Sequence, residues 1–88
     1  MVEKNYTVIE KSGIHARPAT MLVQASTKFK SDVNLVFNGK SVNLKSIMGV
    51  MALGIPNGSV ITIVTSGPDE NEALATLTET IKNQGLGE

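Results

Sequence analysis

Asn38-Gly39 lies between two stretches of alternating apolar and polar residues, Val33 to Phe37 before it and Val42 and Leu44 after it. Both residues of the pair tolerate positive φ, which a two-residue hairpin turn demands and most side chains resist. The pair therefore commits the middle of the chain to two antiparallel strands, half-buried on one face. Whatever surrounds them must be a fold that can use a hairpin. The flanking segments suit one. Tyr6 to Ile9 is rich in β-formers and reads as a short strand that Ser12-Gly13 breaks, and Val60 to Val64 is β-branched throughout and reads as a central strand.

The remaining segments carry helical periodicity. Ala19, Leu22, Val23, Ser26 and Phe29 describe one buried stripe and predict a helix running to about Phe29. Pro18 suits its first turn, where a missing N–H has no partner to lose, and Lys28 and Lys30 lie near its negative end. Ser46 reads as the N-cap of a short helix over Ile47 to Leu53, with Gly54 closing it. Pro56-Asn57-Gly58 is a turn. Asp69 with Glu72 three residues on predicts a capping box, Leu74, Leu77 and Ile81 form the inner stripe of a last helix, and Gly85 ends it. The order is strand, helix, strand, strand, short helix, strand, helix. That order predicts a two-layer α+β domain, its helices covering one face of the sheet. With 88 residues and no repeat, linker or low-complexity stretch, one domain over residues 1–88 is expected.

Composition excludes several function classes. Eight Lys and Arg balance eight Asp and Glu, so no net charge draws the chain onto nucleic acid or a membrane surface. Tyr6, Phe29 and Phe37 are the only aromatics, too few for a base-stacking platform. The absence of cysteine removes disulfides, thiolate zinc sites and cysteine nucleophiles together. A metal site would have to be built from one histidine and carboxylates, and none is expected. Gly54, Gly58 and Gly67 read as turn glycines, not as a nucleotide-binding loop. The amino terminus lacks an apolar signal core and no stretch approaches membrane-spanning length, so a soluble, cytoplasmic chain is the expectation.

His15, the only histidine, stands in Gly13-Ile14-His15-Ala16-Arg17-Pro18-Ala19, where a helix is about to begin. First-turn N–H groups are unpaired and form an anion site, and the partial positive charge there disfavours imidazolium. A neutral imidazole is a nucleophile, and the same charge would stabilise a phosphoryl group attached to it. Arg17 offers a planar, permanently charged fork for phosphate oxygens. On these residues alone, phosphoryl transfer through His15 stands beside a plainer reading, a solvated surface histidine with a solvated arginine. A hydrolase using Ser12 lacks any supporting motif.

Ser46 is most simply a cap worth about 1 kcal/mol. A phosphate on it would also be locally favourable, at the positive end of the helix. The segment behind it carries more apolar side chains than a short helix can bury. Val50 and Leu53 are expected inward, leaving Ile47, Met48 and Met51 partly exposed, where flexible methionines suit several partners. All five being core is the alternative on periodicity alone.

The His15 heptapeptide, together with Asn43-Leu44-Lys45-Ser46-Ile47-Met48-Gly49-Val50-Met51 and the tail Gly85-Leu86-Gly87-Glu88, closely resembles the HPr family over the whole length, in its Gram-positive form. These are the histidine-containing phosphocarriers of the phosphoenolpyruvate-dependent sugar phosphotransferase system. The resemblance implies an open-faced β-sandwich, a four-stranded antiparallel sheet of order 1-4-2-3 covered on one face by three helices. It implies that His15 accepts phosphate at Nδ1 from phosphorylated enzyme I and passes it to the IIA domains of sugar permeases, with Arg17 neutralising the group. Ser46 would be phosphorylated by HPr kinase/phosphorylase, slowing transfer from enzyme I and making the protein a co-repressor with the catabolite control protein. Thr20, Gln24, Ile47, Met48 and Met51 would form the shared docking face. A carrier of this kind is not a stand-alone enzyme and needs no cofactor, and a monomer is expected. Crh-like relatives keep the serine and lack the active histidine; His15 argues against that purely regulatory branch. A small phosphatase of the acylphosphatase sort would use an arginine similarly but leaves the Ser46 segment unexplained.

Overall fold

A computed structural model describes residues 1–88. Asn38 and Gly39 take φ of 51° and 77°, so β2 (Asp32–Phe37) turns directly into β3 (Lys40–Asn43), with Phe37 opposite Lys40. The hairpin is half of a four-stranded antiparallel sheet. Its other strands are β1 (Val2–Thr7) and β4 (Val60–Ser66), and the order is β1-β4-β2-β3. Three helices complete the chain: α1 (Ala16–Thr27), α2 (Ile47–Ala52) and α3 (Glu70–Asn83). The β-branched run is central, paired with β1 on one side and β2 on the other.

Alternation sorts the two faces of the sheet. Ile61, Ile63 and Thr65 of β4 are buried with Val33 and Leu35 of β2 and Tyr6 of β1. Ala19, Leu22 and Ala25 of α1, Val50 of α2, and Leu77 and Ile81 of α3 close over them as one core. The opposite face meets solvent, where the Thr62 hydroxyl donates to Asn5 Oδ1 at 2.6 Å across the β1–β4 pair. Leucine, isoleucine, valine and alanine do most of the filling. Tyr6 joins them with its ring buried and its hydroxyl 2.6 Å from Thr78 Oγ1; burial raises the phenol's pKa and that hydrogen bond opposes the rise.

Several boundaries differ from the sequence expectation. The first strand lies over Val2–Thr7 instead of Tyr6–Ile9, because its register against Thr65–Val60 continues well beyond the residues with the strongest β preference. Ile9 is left exposed. Helix α1 stops two residues before Phe29, which is half-buried like Val23, and Ala25 takes a core place instead. The cation at this end is Lys45, whose Nζ donates to the Phe29 carbonyl at 2.7 Å.

The expected capping box does not form. Asp69 stands at the N-cap of α3 but turns its carboxylate away, onto the α1–β2 connection. There it accepts from the Ser31 hydroxyl and from the backbone N–H groups of Lys30 and Ser31 at 3.0 and 2.9 Å. The Ser31 hydroxyl, then Lys30 and Ser31 N–H, hold its pKa down to about 2. Glu70 fills the local role instead, accepting from Gly67 N–H at 3.1 Å and from the terminal amino group, and its pKa is lowered in consequence.

Candidate functional site

The loop from β1 to α1 is held in shape before it reaches His15. Gly13 has φ of +69°, and a Cβ there would lie 2.1 Å from the Ile55 carbonyl oxygen. Ile14 N–H donates to that same carbonyl at 2.9 Å, and the Ile14 side chain is buried. The backbone is thus pinned against the α2–β4 loop one residue before the histidine. His15 follows as the N-cap of α1, in extended conformation, and its carbonyl accepts from Ala19 N–H at 3.0 Å. The imidazole makes no capping hydrogen bond, and the side chain is 39% exposed.

Two first-turn N–H groups, those of Ala16 and Arg17, have no partner within the chain. Pro18, third in the helix, contributes none. An N-terminus in this state carries partial positive charge and free donors beside a reachable ring nitrogen. Arg17 stands on the same turn and is more than half exposed, its Nη1 3.5 Å from Met21 Sδ. The arrangement can receive a dianion and neutralise it with one fixed cation.

A third charged group, which the sequence reading missed, completes the cluster. One carboxylate oxygen of Glu10 lies 3.6 Å from His15 Nε2 and the other 3.7 Å from Arg17 Nη2. No spacing rule finds this residue, because the irregular Lys11-Ser12-Gly13 turn carries it back to the helix start. The turn closes on the Glu10 carbonyl, which accepts from Gly13 N–H at 2.9 Å and from Asn57 Nδ2 at 3.1 Å.

The second helix start is built differently. Ser46 caps α2 as expected, its hydroxyl accepting from Gly49 N–H at 3.3 Å, and Gly54 follows the helix with φ of +59°. The helix ends at Ala52, one residue short of the expected Leu53. Val50 is fully buried and Leu53 half-buried, while Ile47, Met48 and Met51 are 37, 81 and 45% exposed. Thr20 is half-buried with its hydroxyl bonded back to the Ala16 carbonyl at 2.8 Å, and Gln24 is exposed. Helices α1 and α2 pack against each other, so these side chains belong to adjoining elements. Ser46 and His15 each stand at the N-cap of their own helix, and no hydrogen bond joins them. The surface has no enclosed pocket, no three acidic or histidine side chains gather as a metal cluster, and no helix is long and apolar enough to cross a membrane.

The chain matches the family model of the "PTS HPr component phosphorylation site" over residues 2–83. Among solved structures it is similar to the histidine-containing phosphocarrier protein of Mycoplasma, with 37% identity, 99% of each chain covered and a TM-score of 0.96. The phosphocarrier protein HPr of Bacillus anthracis is 47% identical over 90% of this chain and 94% of that one, with a TM-score of 0.83. Crh of Bacillus subtilis is 43% identical over 96% and 97%, with a TM-score of 0.74.

An open-faced sheet, three helices on one side and a match over most of the chain define the fold and class of a phosphocarrier protein. The chain belongs to the HPr family of the phosphotransferase system. The expectation of a monomer needs correction. The Crh neighbour is a swapped, intertwined dimer, so this fold does not restrict its members to one chain.

Proposed function

We propose that the whole chain acts as one phosphocarrier in the cytoplasm, with His15 as the residue that takes and gives the phosphoryl group. The supporting observation is the pairing of an uncapped imidazole at the start of α1 with the Arg17 guanidinium and two unpartnered N–H groups. In acceptance, His15 Nδ1 attacks phosphorus on the phosphohistidine of enzyme I. The new P–N bond forms as the old one breaks, and the donor ring leaves with the bonding electron pair. Arg17 and the helix start take up phosphoryl charge on arrival. In donation to a IIA domain the same steps run in reverse. The lability of the P–N bond suits a group meant to be passed on.

The docking face is Thr20 and Gln24 on α1 with Ile47, Met48 and Met51 on α2. Exposed methionines adapt their shape to unlike partners at low cost. Ser46 is the regulatory site, taking phosphate from HPr kinase/phosphorylase and, when phosphorylated, binding the catabolite control protein. A phosphate at this cap adds nearly two negative charges beside the exposed methionines and leaves the helix in place, so its effect falls on docking.

Incubation with phosphoenolpyruvate and catalytic enzyme I, followed by intact mass and acid treatment, tests this. One acid-labile phosphate per chain, absent from His15→Ala, is expected. Normal labelling of His15→Ala would overturn the assignment.

A further inference from the structure

Glu10 is the charged residue at the His15 start of α1 to which neither sequence motif nor carrier mechanism gives a part. Its side chain is 22% exposed, more buried than the histidine and arginine it faces. Its two oxygens divide between them, one toward His15 Nε2 and one toward Arg17 Nη2. The α2–β4 loop behind the turn, Ile55-Pro56-Asn57-Gly58, has no titratable side chain, and Lys11 follows Glu10 in the turn itself. The carboxy-terminal segment packs on the Glu10 backbone, its Leu86 carbonyl accepting from Glu10 N–H at 3.4 Å, and carries the carboxylates of Glu88 two residues on. Glu10 and Arg17 are the side chains joined in the ion-pair cluster at the imidazole, beside the first-turn N–H groups.

We infer that Glu10 is a positioning residue for phosphoryl transfer, holding His15 by its Nε2 side and keeping Arg17 beside it. This inference rests on the proposed role of His15. A carboxylate at one ring nitrogen favours the proton there and leaves the other nitrogen with its lone pair, as in histidines oriented by a second group. At 3.6 Å the pair lies just outside hydrogen-bond length, and such contacts tighten when the reaction partner arrives. With the proton kept on Nε2, attack by Nδ1 requires no proton to move. The ring becomes a phosphorylated imidazolium whose positive charge faces Glu10. On donation the electron pair returns to the ring and the proton stays where it was.

The test compares wild type with Glu10→Ala, Glu10→Gln and Glu10→Asp. Phosphoryl acceptance from enzyme I is measured, and the tautomer of His15 is read from its ring nitrogen and ring proton signals by NMR. Loss of an orienting partner of this kind lowers the rate about tenfold. In the Ala and Gln variants the ring signals move away from those of the form protonated at Nε2. The Asp variant restores both rate and signals toward wild type. A wild-type rate and unmoved ring signals in the Ala and Gln variants would overturn the inference. So would a slower rate with unmoved ring signals, since a merely structural Glu10 acts through the turn. The NMR readout does not depend on transfer. If wild type accepts no phosphate the proposed function fails, and the ring signals still decide whether Glu10 holds the ring.

Discussion

Gly13 and Gly39 show how one residue type serves two purposes. Both have positive φ, but at Gly39 a Cβ would meet nothing, while at Gly13 it would strike the Ile55 carbonyl. Gly39→Ala should therefore cost roughly 1 kcal/mol, the price of a left-handed backbone alone. Gly13→Ala should cost roughly 2–4 kcal/mol, because strain and a backbone collision add. Urea unfolding of the two variants measures the difference. Only Gly13→Ala should also slow phosphoryl acceptance, since it displaces the loop that sets His15. The glycine break before His15 is legible in the sequence, and so is Arg17 on the following turn. Glu10 is not, because its closeness to His15 comes from a turn with no regular period.

At the level of elements, α2 and α3 illustrate what caps reveal. The Ser46 cap follows from local sequence, whereas periodicity left two arrangements of α2 open, and the structure has the one with Val50 buried and Ile47, Met48 and Met51 exposed. Met48→Ala should change stability by no more than about 0.5 kcal/mol, whereas Val50→Ala should cost roughly 2 kcal/mol. Thermal melting separates the two, and a large loss at Met48 would place it in the core. Helix α3 went otherwise. Asp69 and Glu72 have the spacing of a capping box, but Ser31 offers Asp69 a hydroxyl and an N–H from 38 residues away. A carboxyl held at about 2 against an ordinary 3.8 favours its charged form in the folded chain. That contribution is whole above the unfolded value and fades as pH falls through about 2. Asp69→Asn should thus unfold at lower urea than wild type at pH 7, with the gap closing near pH 2. An undiminished gap at pH 2 would mean the ionised carboxylate is not what matters.

Across the whole molecule, the carboxy-terminal segment closes the fold against the end of β1. Glu88 exchanges backbone hydrogen bonds with Thr7 at 2.8 and 3.0 Å, Ile9 N–H donates to the Leu86 carbonyl at 2.9 Å, and Leu86 is buried in the common core. Leu86→Ala should cost roughly 2–4 kcal/mol, as for an interior leucine, although only Gly87 and Glu88 follow it in the sequence. Denaturant unfolding reads this directly, and a surface-like effect would mean the tail is not docked.

The local chemistry of this chain dictated a great deal: the Asn38-Gly39 hairpin, the central β-branched strand, the stripes of α1 and α3, and the histidine at a helix start. These depend on backbone preference and on periods of two and 3.6, which neighbouring residues carry among themselves. Tertiary structure alone decided how far β1 pairs, where the Asp69 carboxylate turns, that Leu86 is core and that Glu10 faces His15. Each of those joins residues whose separation follows no period, so they meet only once the sheet and helices have packed.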